Sequence, residues 1–416
     1  MRQSWKHDKG NVLIMVALSF AVLAAFGMLT IDVGRILVTR TQLQNAADAA
    51  ALAGASVYCE NAAAPAEDVR TRARQVGGAN NALQAAAVPV DMGRAIITLS
   101  GGDPDAGMND NTVTVTTFSN TSQYFYNMVD LLGPRIRDAL VTATGTARCG
   151  ATCNVTCVKP WSIPDRWDDN ATIAGYPAWR NNGYYDFEDY TDVNGNMNYD
   201  IGEPYTDGNG NGTFDSEPYH PLLTGYVPDP VAGNTLAGPD GDIGLLLTLK
   251  ANNDSKPQPG QYWAVDLPPI NRGDPIPGAN QYRWNIANCN ESPIAPGDIL
   301  ATEPGNMVGP TRQGMLDLIA KDPNAEWDPT TLSVINSDYA ISPRIVLIPI
   351  HDPRFPIHSG RPSTLKVAKV AAFFMERMNG NEVVGRFLKV RGKGDPCPPG
   401  QNVGNFTFDL SLIPNP

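Results

Sequence analysis

The side chains most able to do chemistry in this sequence are the oxygen donors of a short acidic repeat. Read as a 12-residue calcium loop, the stretch 192–203 has an oxygen side chain at positions 1, 3, 5, 9 and 12, which are Asp192, Asn194, Asn196, Asp200 and Glu203. Alternating ligands let a turning backbone point successive oxygens at one cation, and a closing Glu completes a shell of 6 to 8 oxygens. Position 6, usually Gly, is Met197. The stretch therefore predicts a calcium site with one departure from the pattern.

A second copy of the pattern follows shortly after the first and begins at Asp207. Its oxygen side chains are Asp207, Asn209, Asn211, Asp215 and Glu217. This copy keeps Gly212 at position 6, but its closing Glu comes one residue early, at position 11. The stretch 185–188 is a degenerate third member, because its Tyr-Asp pair matches the aromatic-Asp pairs at 199–200 and 214–215.

These copies resemble the calcium loops of dockerin-like and other extracellular Asn-Gly-rich modules. Pro204 and Pro218 follow the acidic ends directly, so we expect stacked loops without the helices of an EF-hand. The predicted cofactor is Ca²⁺ in a structural role, bound with a Kd of about 10⁻⁴ to 10⁻³ M, which would order a segment too polar to fold around a core. The alternative is a solvated acidic turn region.

The net charge of the 416-residue chain is concentrated in this repeat. The stretch 181–220 contains nine carboxylates and no Lys or Arg, out of a net charge of −12. The rest of the chain is therefore nearly neutral, because the repeat accounts for most of the negative charge. Such a balance excludes a nucleic-acid binder, which needs a basic face.

The N-terminal element that precedes the repeat is an apolar helix. Residues Val12 to Ile31 include no charge, and as a helix they span about 30 Å, the thickness of a bilayer's hydrocarbon core. The alternative is a cleaved signal peptide, whose apolar region has about 7 to 15 residues. The run here is longer and ends in Asp32-Val33-Gly34-Arg35. We therefore predict a retained anchor.

The orientation of this anchor follows from its flanks and from the cysteines. Three basic residues precede the span and two follow it closely, which favours a cytoplasmic N-terminus. An even number of dispersed cysteines suits disulfides in an exported region. They are Cys59, Cys149, Cys153, Cys157, Cys289 and Cys397. A metal site at the tight cluster 149–157 is the alternative, but no fourth Cys or His follows at zinc-finger spacing.

The stretch after the span carries a family resemblance. Together with the span, Ile31-Asp32-Val33-Gly34-Arg35 and the Ala-rich run from Leu43 to Ala53 resemble the N-terminal module of TadE/TadG-like proteins of the Flp (Tad) pilus assembly system. The resemblance covers about residues 10 to 57. It implies an envelope protein of a bacterial pilus or secretion machine, anchored in the inner membrane. Its implied partners are that membrane and other pilus or secretion components, contacted through the N-terminal helix.

The helix is expected to continue beyond the membrane. No Pro occurs from Val12 to Val57, and Ala and Leu are strong helix formers. The small side chains of the Ala-rich run allow close approach, so we expect another helix to pack there.

The fold class predicted for the chain is α+β. A long transmembrane helix precedes a mostly antiparallel, β-rich ectodomain with a loop-rich acidic insertion. The predicted segments are a cytoplasmic tail (1–11), the transmembrane helix (12–31), a helical extension (32–57), a first α+β part (58–157), a Pro/Gly/Asn-rich region (158–300) with the calcium loops at 181–220, and a second α+β part (301–416).

Pattern also predicts individual elements within the ectodomain. Strands are expected at 95–99, 112–116, 344–348, 366–376 and 382–391, and helices at 123–140 and 311–320. Asn379-Gly380 is expected to form the turn between the last two strands.

No sequence feature supports an enzyme. The chain has no Gly-x-Ser-x-Gly motif and no Gly-rich loop leading into Lys-Ser or Lys-Thr. The leading hypothesis is a membrane-anchored structural or assembly component of a Tad/Flp-type apparatus with a calcium-stabilised ectodomain. The alternative is a calcium-dependent cell-surface adhesin or receptor with a single N-terminal anchor.

Overall fold

The computed structural model describes residues 8–61, 64–80, 96–100, 111–121, 139–195, 198–251, 261–267, 278–303, 307–355, 363–392, 394–397 and 404–413. The chain divides into two compact units. Unit 1 contains Met1–Gly101, Asn111–Arg148 and Leu410–Pro416, and unit 2 contains Gly102–Asp110 and Cys149–Asp409. Unit 1 therefore joins the N-terminal helix to residues up to 148. Unit 2 joins the acidic repeat to most of the C-terminal part, a division that differs from the predicted segments.

Unit 1 consists of two helices and a small sheet. Its elements are α1 (Asp8–Glu60), α2 (Ala66–Gly78), β1 (Ile96–Ser100), β2 (Asn111–Thr121) and the first residues of β3 (Ala139–Val155). The expectation that α1 continues beyond the apolar span is confirmed, since it forms one helix of 53 residues. The two strands predicted at 95–99 and 112–116 correspond to β1 and β2.

The strands of unit 1 lie side by side in the order β1-β2-β3. Strands β1 and β2 are antiparallel, with Ile96 opposite Thr116. Threonine hydroxyls join β2 to β3, with 3.1 Å between Thr114 and Thr146 and 3.0 Å between Thr116 and Thr144. The helix predicted at 123–140 lies outside the described residues except at its end, where residues 139 and 140 begin β3.

Unit 2 is built mainly from strands. Its strands are the end of β3, β4 (Trp161–Pro164), β5 (Pro239–Asp242), β6 (Leu246–Ala251), β7 (Gln261–Asp266), β8 (Ile299–Thr302), β9 (Glu326–Asp328), β10 (Ser333–Ile335), β11 (Ile345–His351), β12 (Thr364–Asn379), β13 (Glu382–Leu388), β14 (Val390–Arg391), β15 (Gly394–Pro396) and the start of β16 (Thr407–Ile413). Its helices are α3 (Gly278–Ala287) and α4 (Val308–Ile319). The predicted α+β class, with a long apolar helix followed by a β-rich region, is confirmed.

Six of these strands close into a ring. The order is β11-β4-β7-β6-β13-β12, and β12 pairs in turn with β11, while β8 pairs with both β7 and β12. Most pairs are antiparallel, and the parallel ones are β11 with β4 and β6 with β7. A closed ring leaves fewer free edges than an open sheet.

The hairpin between β12 and β13 forms as predicted, with its turn one residue later. Asn379 still pairs with Glu382, so the loop residues are Gly380 and Asn381. Gly380 has φ +63°, at the first loop position, where Gly is favoured because it has no Cβ. The strand predicted at 344–348 is β11, and the helix predicted at 311–320 is α4.

The core of unit 2 lies inside the strand ring and under the two helices. Phe373, Phe374 and Phe387 are fully buried, and the rings of Phe373 and Phe387 meet edge to face with centroids 5.6 Å apart. From the helices, Ile286 and Met315 complete this cluster.

A buried ion pair ties β12 to the loop region of the same unit. Lys369 Nζ lies 3.0 Å from Asp165 Oδ2, and both side chains have 0% exposure. Asp165 also accepts hydrogen bonds from the Tyr219 hydroxyl (3.0 Å) and the Tyr226 backbone N–H (2.8 Å), and Lys369 donates to the Tyr226 carbonyl. Burial lowers the pKa of Lys369 and raises that of Asp165, and the partner's charge opposes each shift.

All six cysteines lie among the described residues, and all six are in disulfides. Cys153 is bonded to Cys397, and Cys157 to Cys289. The prediction of disulfides is confirmed, and the alternative of a metal site at 149–157 is wrong because those sulfurs are not available as thiolates.

Candidate functional site

The N-terminal helix α1 has two halves with opposite surroundings. From Val12 to Ile31 its side chains are exposed or half-buried, and Leu13 is 74% exposed. Within the described part of the chain, α1 is the one helix long and apolar enough to cross a membrane. Unit 1 therefore leaves the apolar side chains of this half uncovered, as expected for a segment that spans a membrane.

The second half of α1 carries a buried stripe. Its members recur every three or four residues, as on one face of a helix. They are Thr39, Leu43, Ala46, Ala47, Ala50, Ala51, Gly54, Ala55 and Tyr58.

The stripe is covered by the sheet and by α2 of the same unit. The Leu43 carbonyl accepts a hydrogen bond from the Thr117 hydroxyl (3.0 Å), and Gln44 donates to the Thr144 carbonyl (2.9 Å). A Cβ on Gly145 would lie 2.7 Å from the backbone of Ala47, so the helix rests directly on the strand at that glycine. A Cβ on Gly54 would lie 2.9 Å from Val113. The small residues thus permit close packing as expected, but against a sheet as well as a helix.

The acidic repeat lies in a segment of unit 2, residues 165–238, whose described residues form no helix or strand. This agrees with the expectation of loops without EF-hand helices. Two isolated antiparallel bridges, Phe187 with Ser216 and Tyr190 with Tyr205, hold the copies together. Asn196 and Met197 lie outside the described residues.

Aromatic side chains form a small core between the copies. The rings of Tyr199 and Phe214, which occupy matching positions in the two copies, stack with centroids 3.9 Å apart and planes 13° apart. Tyr190 meets both rings edge to face, at 5.9 and 5.7 Å. The matching aromatic of the degenerate copy, Tyr185, meets Trp167 edge to face at 5.7 Å.

The first oxygen donor of each copy binds its own loop backbone. Asp192 accepts a hydrogen bond from the Gly195 N–H at 2.7 Å, and Asp207 accepts one from the Gly210 N–H at 2.6 Å. Asp207 also accepts from the Gly212 N–H at 2.8 Å, the largest of the contacts that lower its pKa. The shared geometry of these turns shows that the two copies fold alike.

The middle donors also converge in the same way in both copies. The Asn194 amide donates to Asp200 Oδ2, and the Asn209 amide donates to Asp215 Oδ2, both at 2.7 Å. In the second copy, Asn211 also donates to Asp215 Oδ2 at 2.7 Å. Positions 3 and 9 of each loop therefore lie next to one another, although the position-3 amide presents its NH2 group rather than its oxygen to the carboxylate.

The closing carboxylates differ from the sequence pattern. Glu203 closes its own loop, accepting from the N–H groups of Val193 (2.8 Å) and Asp200 (3.0 Å), at positions 2 and 9. In the second loop, the matching N–H groups of Gly208 and Asp215 donate instead to Glu188, at 3.0 and 3.1 Å.

Glu217, predicted to close the second loop, is directed elsewhere. Its Oε2 accepts from the Asp186 N–H at 2.9 Å, and its side chain is only 1% exposed. Burial raises its pKa to about 8, with smaller contributions from the charges of Asp169 and Asp186. Sequence reasoning missed Glu188 as a closing residue because it precedes the whole loop whose N–H groups it binds.

The predicted ligands are thus brought together as loops, with carboxylates bound to N–H groups. Within the described part of the chain, no three His, Cys, Asp or Glu side chains lie close enough together to hold a metal ion. The donor set is nonetheless of the kind that calcium takes, because it consists of carboxylate and amide oxygens. Binding would require the amide groups now facing Asp200 and Asp215 to turn their oxygens inward.

A separate cavity of about 320 Å³ adjoins the partly exposed disulfide Cys157–Cys289. Lys159 there donates to the Asn288 carbonyl at 2.7 Å, just past the C-terminus of α3. Burial, followed by the charge of Lys321, lowers the pKa of Lys159 to about 7. Both lysines bind carbonyls at the helix end, where cations are favoured.

Comparison with family models adds one finding to this geometry. Residues 10–57 match the model described as Tad, putative Flp pilus-assembly TadE/G-like. The match covers the exposed half of α1 and nearly all of its packed half, so the TadE/G-like stretch is a single helix whose second half is built into unit 1. Comparison with curated proteins finds no match, and comparison with solved structures finds none either.

Proposed function

We propose that this chain is a membrane-anchored structural or assembly component of a bacterial Tad/Flp-type pilus or secretion apparatus. The observation that carries the proposal is the coincidence of the TadE/G-like match with a helix that is exposed and apolar over Val12–Ile31 and packed beyond it. The role is structural rather than enzymatic. The anchor lies in the inner membrane, with a cytoplasmic N-terminus and the rest of the chain in the periplasm or at the cell surface.

The disulfides support that orientation. Disulfides form and persist in oxidising compartments outside the cytoplasm, and all six cysteines follow the anchor in the sequence. The three basic residues before the span favour the same orientation.

The packing of α1 limits where partners bind. Its stripe from Thr39 to Tyr58 is already covered by unit 1, so pilus or secretion components contact the helix along the membrane half and along its exposed face up to Val38, which is 48% exposed. Because lipid tails are as apolar as these side chains, such contacts depend on close packing rather than on the hydrophobic effect.

Calcium belongs to the same proposal as a structural ion of the acidic loops. Support comes from the repeated geometry: in both copies the position-3 amide meets the position-9 carboxylate at 2.7 Å. The proposed ligands are Asp192, Asn194, Asn196, Asp200 and Glu203 in one loop, and Asp207, Asn209, Asn211 and Asp215 in the other. When bound, calcium would supply positive charge among carboxylates that accept hydrogen bonds from N–H groups.

The assembly role is tested by deleting the gene in its native host and counting surface filaments by electron microscopy. We expect filaments to be lost and to return with the full-length gene, but not with a gene whose residues 12–31 are replaced by a cleavable signal sequence. Immunoblotting under non-reducing conditions checks that this secreted form accumulates with its disulfides. Unchanged filament numbers after deletion would reject the assembly role, and a loss of surface attachment alone would favour the adhesin.

A further inference from the structure

Two copies of the repeat, the degenerate copy that contains residues 185–188 and the copy that begins at Asp207, exchange their closing carboxylates. Glu188 accepts from the Asp215 N–H, and Glu217 accepts from the Asp186 N–H, on either side of the bridge between Phe187 and Ser216. The backbone repeats this symmetry, since the N–H of each Glu donates to the carbonyl of the other copy's Asp at 3.0 Å. In both copies the Glu follows its Asp by two residues, whereas Glu203, which closes its own loop, follows Asp200 by three. The shorter spacing therefore sends each carboxylate to the opposite copy.

The degenerate copy has the same internal contacts as the loop that begins at Asp207. Asp169 accepts from the N–H groups of Asn182 (3.2 Å) and Gly183 (3.0 Å). Asp207 accepts from the matching residues of its own loop, Asn211 (3.2 Å) and Gly212 (2.8 Å).

The amide contact to the position-9 carboxylate is also repeated. The Asn182 side-chain amide donates to Asp186 Oδ2, as that of Asn211 donates to Asp215 Oδ2. Asp169 thus takes position 1 of this copy although a long irregular stretch separates it from Asn182 in the sequence, which explains why the sequence pattern does not show it.

One carboxylate oxygen in this copy, the Oε1 of Glu217, has no hydrogen bond of ordinary length. Glu188 uses both oxygens, one on the position-2 N–H of Gly208 and one on the position-9 N–H of Asp215. Glu217 finds only the position-9 N–H, and its Oε1 is buried without a hydrogen bond of ordinary length. The indole N–H of Trp167, which also has none, approaches Glu217 closely enough to lower its pKa slightly against the effect of burial. The degenerate copy lacks the position-2 amide because Asp169 reaches the loop from a distant part of the chain.

A buried carboxylate oxygen without a donor is costly, and here two further carboxylates, those of Asp169 and Asp186, act on it electrostatically. As among the described residues of the other two loops, these carboxylates do not yet lie close enough together to hold an ion, so binding would draw them in. A divalent cation held among them would neutralise much of this charge and give the Glu217 Oε1 a short contact. Hard oxygen donors of this kind suit Ca²⁺.

We propose that Asp169, Asn182, Asp186 and Glu217 form a third calcium site, and that Glu188 is the closing ligand of the loop that begins at Asp207. This inference rests on the calcium binding proposed above, and it moves Glu217 from the second loop to the third site. Each of the three loops would then be closed by a Glu. Glu203 closes its own loop, whereas Glu188 and Glu217 each close the loop of the other copy.

The test is equilibrium dialysis of the full-length chain, purified in detergent micelles, against millimolar Ca²⁺. We expect three ions per chain, and two for each of the isosteric variants Glu217→Gln, Glu188→Gln and Glu203→Gln. The control is Asp240→Asn, an exposed carboxylate of the same unit, which should keep three. Asp169→Asn tests the third site from its other side and should lower its affinity roughly 10- to 100-fold. Tryptophan fluorescence of each variant checks that it is folded.

The possible counts separate the two proposals. A wild-type count of two rejects the third site and leaves the calcium loops standing, whereas a count of zero rejects both. Three ions in the wild type with three retained in Glu217→Gln would also overturn the assignment. The exchange is wrong, and Glu217 closes the second loop, if Glu217→Gln and Asp207→Asn each leave two ions, their double variant also leaves two, and Glu188→Gln keeps three.

Discussion

The strand ring and the acidic loops of unit 2 bury side chains by opposite means. In the ring, Phe373, Phe374 and Phe387 are fully buried, and exclusion of water from apolar surface is the main stabilising effect. In the loops, the buried side chains include Glu188, Glu203 and Glu217, each held by backbone N–H groups. The comparison teaches that the aromatic core of the ring depends on apolar residues of suitable size, whereas the loops depend on particular donor and acceptor atoms in particular places.

The largest expected effect lies where the two regions join, at the ion pair of Lys369 and Asp165. Changing Lys369 to Met leaves the Asp165 charge buried and unpaired, which should lower the free energy of unfolding by about 3–5 kcal/mol. The measurement is urea denaturation of the full-length chain in micelles, followed by tryptophan fluorescence. Six of the seven tryptophans lie in unit 2, so the signal reports that unit.

The control for this variant is the double change Lys369→Met with Asp165→Asn. It removes both charges, while the Asn Oδ1 can still accept from the Tyr226 N–H and the Asn NH2 group can donate to the Tyr219 hydroxyl oxygen. We expect it to recover more than half of the lost stability. A single variant as stable as the wild type would show that this pair does not hold the loops to the ring.

Sequence reasoning worked best where the ring and the helix follow a simple period. The length of α1, the strands β2, β11 and β12 and the hairpin at Gly380 follow from hydrophobic pattern and turn chemistry, which are local. The strands β4 to β8 and the helix α3 were missed, because they are short and are stabilised by pairing with distant parts of the chain. The turn shifted by one residue because Asn379 keeps its strand pairing with Glu382.

In the acidic loops, sequence reasoning found the donors but not all of their partners. The closure of the first loop by its own Glu203 follows from spacing, since the two N–H groups that Glu203 binds lie within the same copy. The exchange of Glu188 and Glu217 does not, because one residue fewer between Asp and Glu changes which copy the carboxylate reaches. Asp169 was missed for a similar reason, since an irregular stretch separates it from its loop. A pattern of residue types contains the chemistry of such a site but not its three-dimensional connections.

The next largest expected effect is the stabilisation that calcium gives by binding to the acidic loops. Because only the folded loops offer the complete donor set, about 10 mM Ca²⁺, roughly 10 to 100 times the expected Kd, should stabilise unit 2 by about 1.4–2.7 kcal/mol per site. The measurement is a thermal melt of the full-length chain in micelles with calcium and with chelator. The double variant Asp192→Ala with Asp207→Ala should lose most of this increment, and Asp240→Asn should keep it. A melting temperature that does not change across millimolar calcium would reject the calcium loops.

Two buried groups of unit 2 give opposite pH dependences between pH 7 and 5: the raised pKa of Glu217 makes the loops more stable as the pH falls, whereas His351 makes the ring less stable. His351 of β11 is fully buried beside the Ser162 hydroxyl (3.0 Å), and burial lowers its pKa from 6.5 to about 3. Between these values the unfolded chain binds the proton and the folded chain does not. Stability from this group is therefore complete above about pH 6.5 and falls by about 1.4 kcal/mol per pH unit as the pH decreases toward 3.

The variant His351→Gln should lose this part of the slope when urea denaturation is repeated from pH 7 down to pH 5. The matched change in the loop region is His220→Gln, an exposed histidine, and it should leave the slope as in the wild type. Equal slopes for the wild type and His351→Gln would mean that His351 is protonated in the folded ring or does not titrate in this range in either state.

The smallest effect tests whether the loops also depend on apolar packing. Tyr199 and Phe214 stack with centroids 3.9 Å apart, so the two copies share one aromatic contact between their polar turns. Phe214→Leu keeps an apolar side chain but removes the ring, and it should lower the free energy of unfolding by about 0.5–1.5 kcal/mol. A double-mutant cycle with Tyr199→Leu, measured by urea denaturation in chelator, isolates the ring–ring term from simple burial. A coupling energy near zero would mean that the carboxylate–amide contacts alone set the distance between the copies. A clear coupling without calcium would show that the aromatic core arranges the loops before any ion binds. Calcium binding would then cost less conformational entropy, because the loops are already ordered.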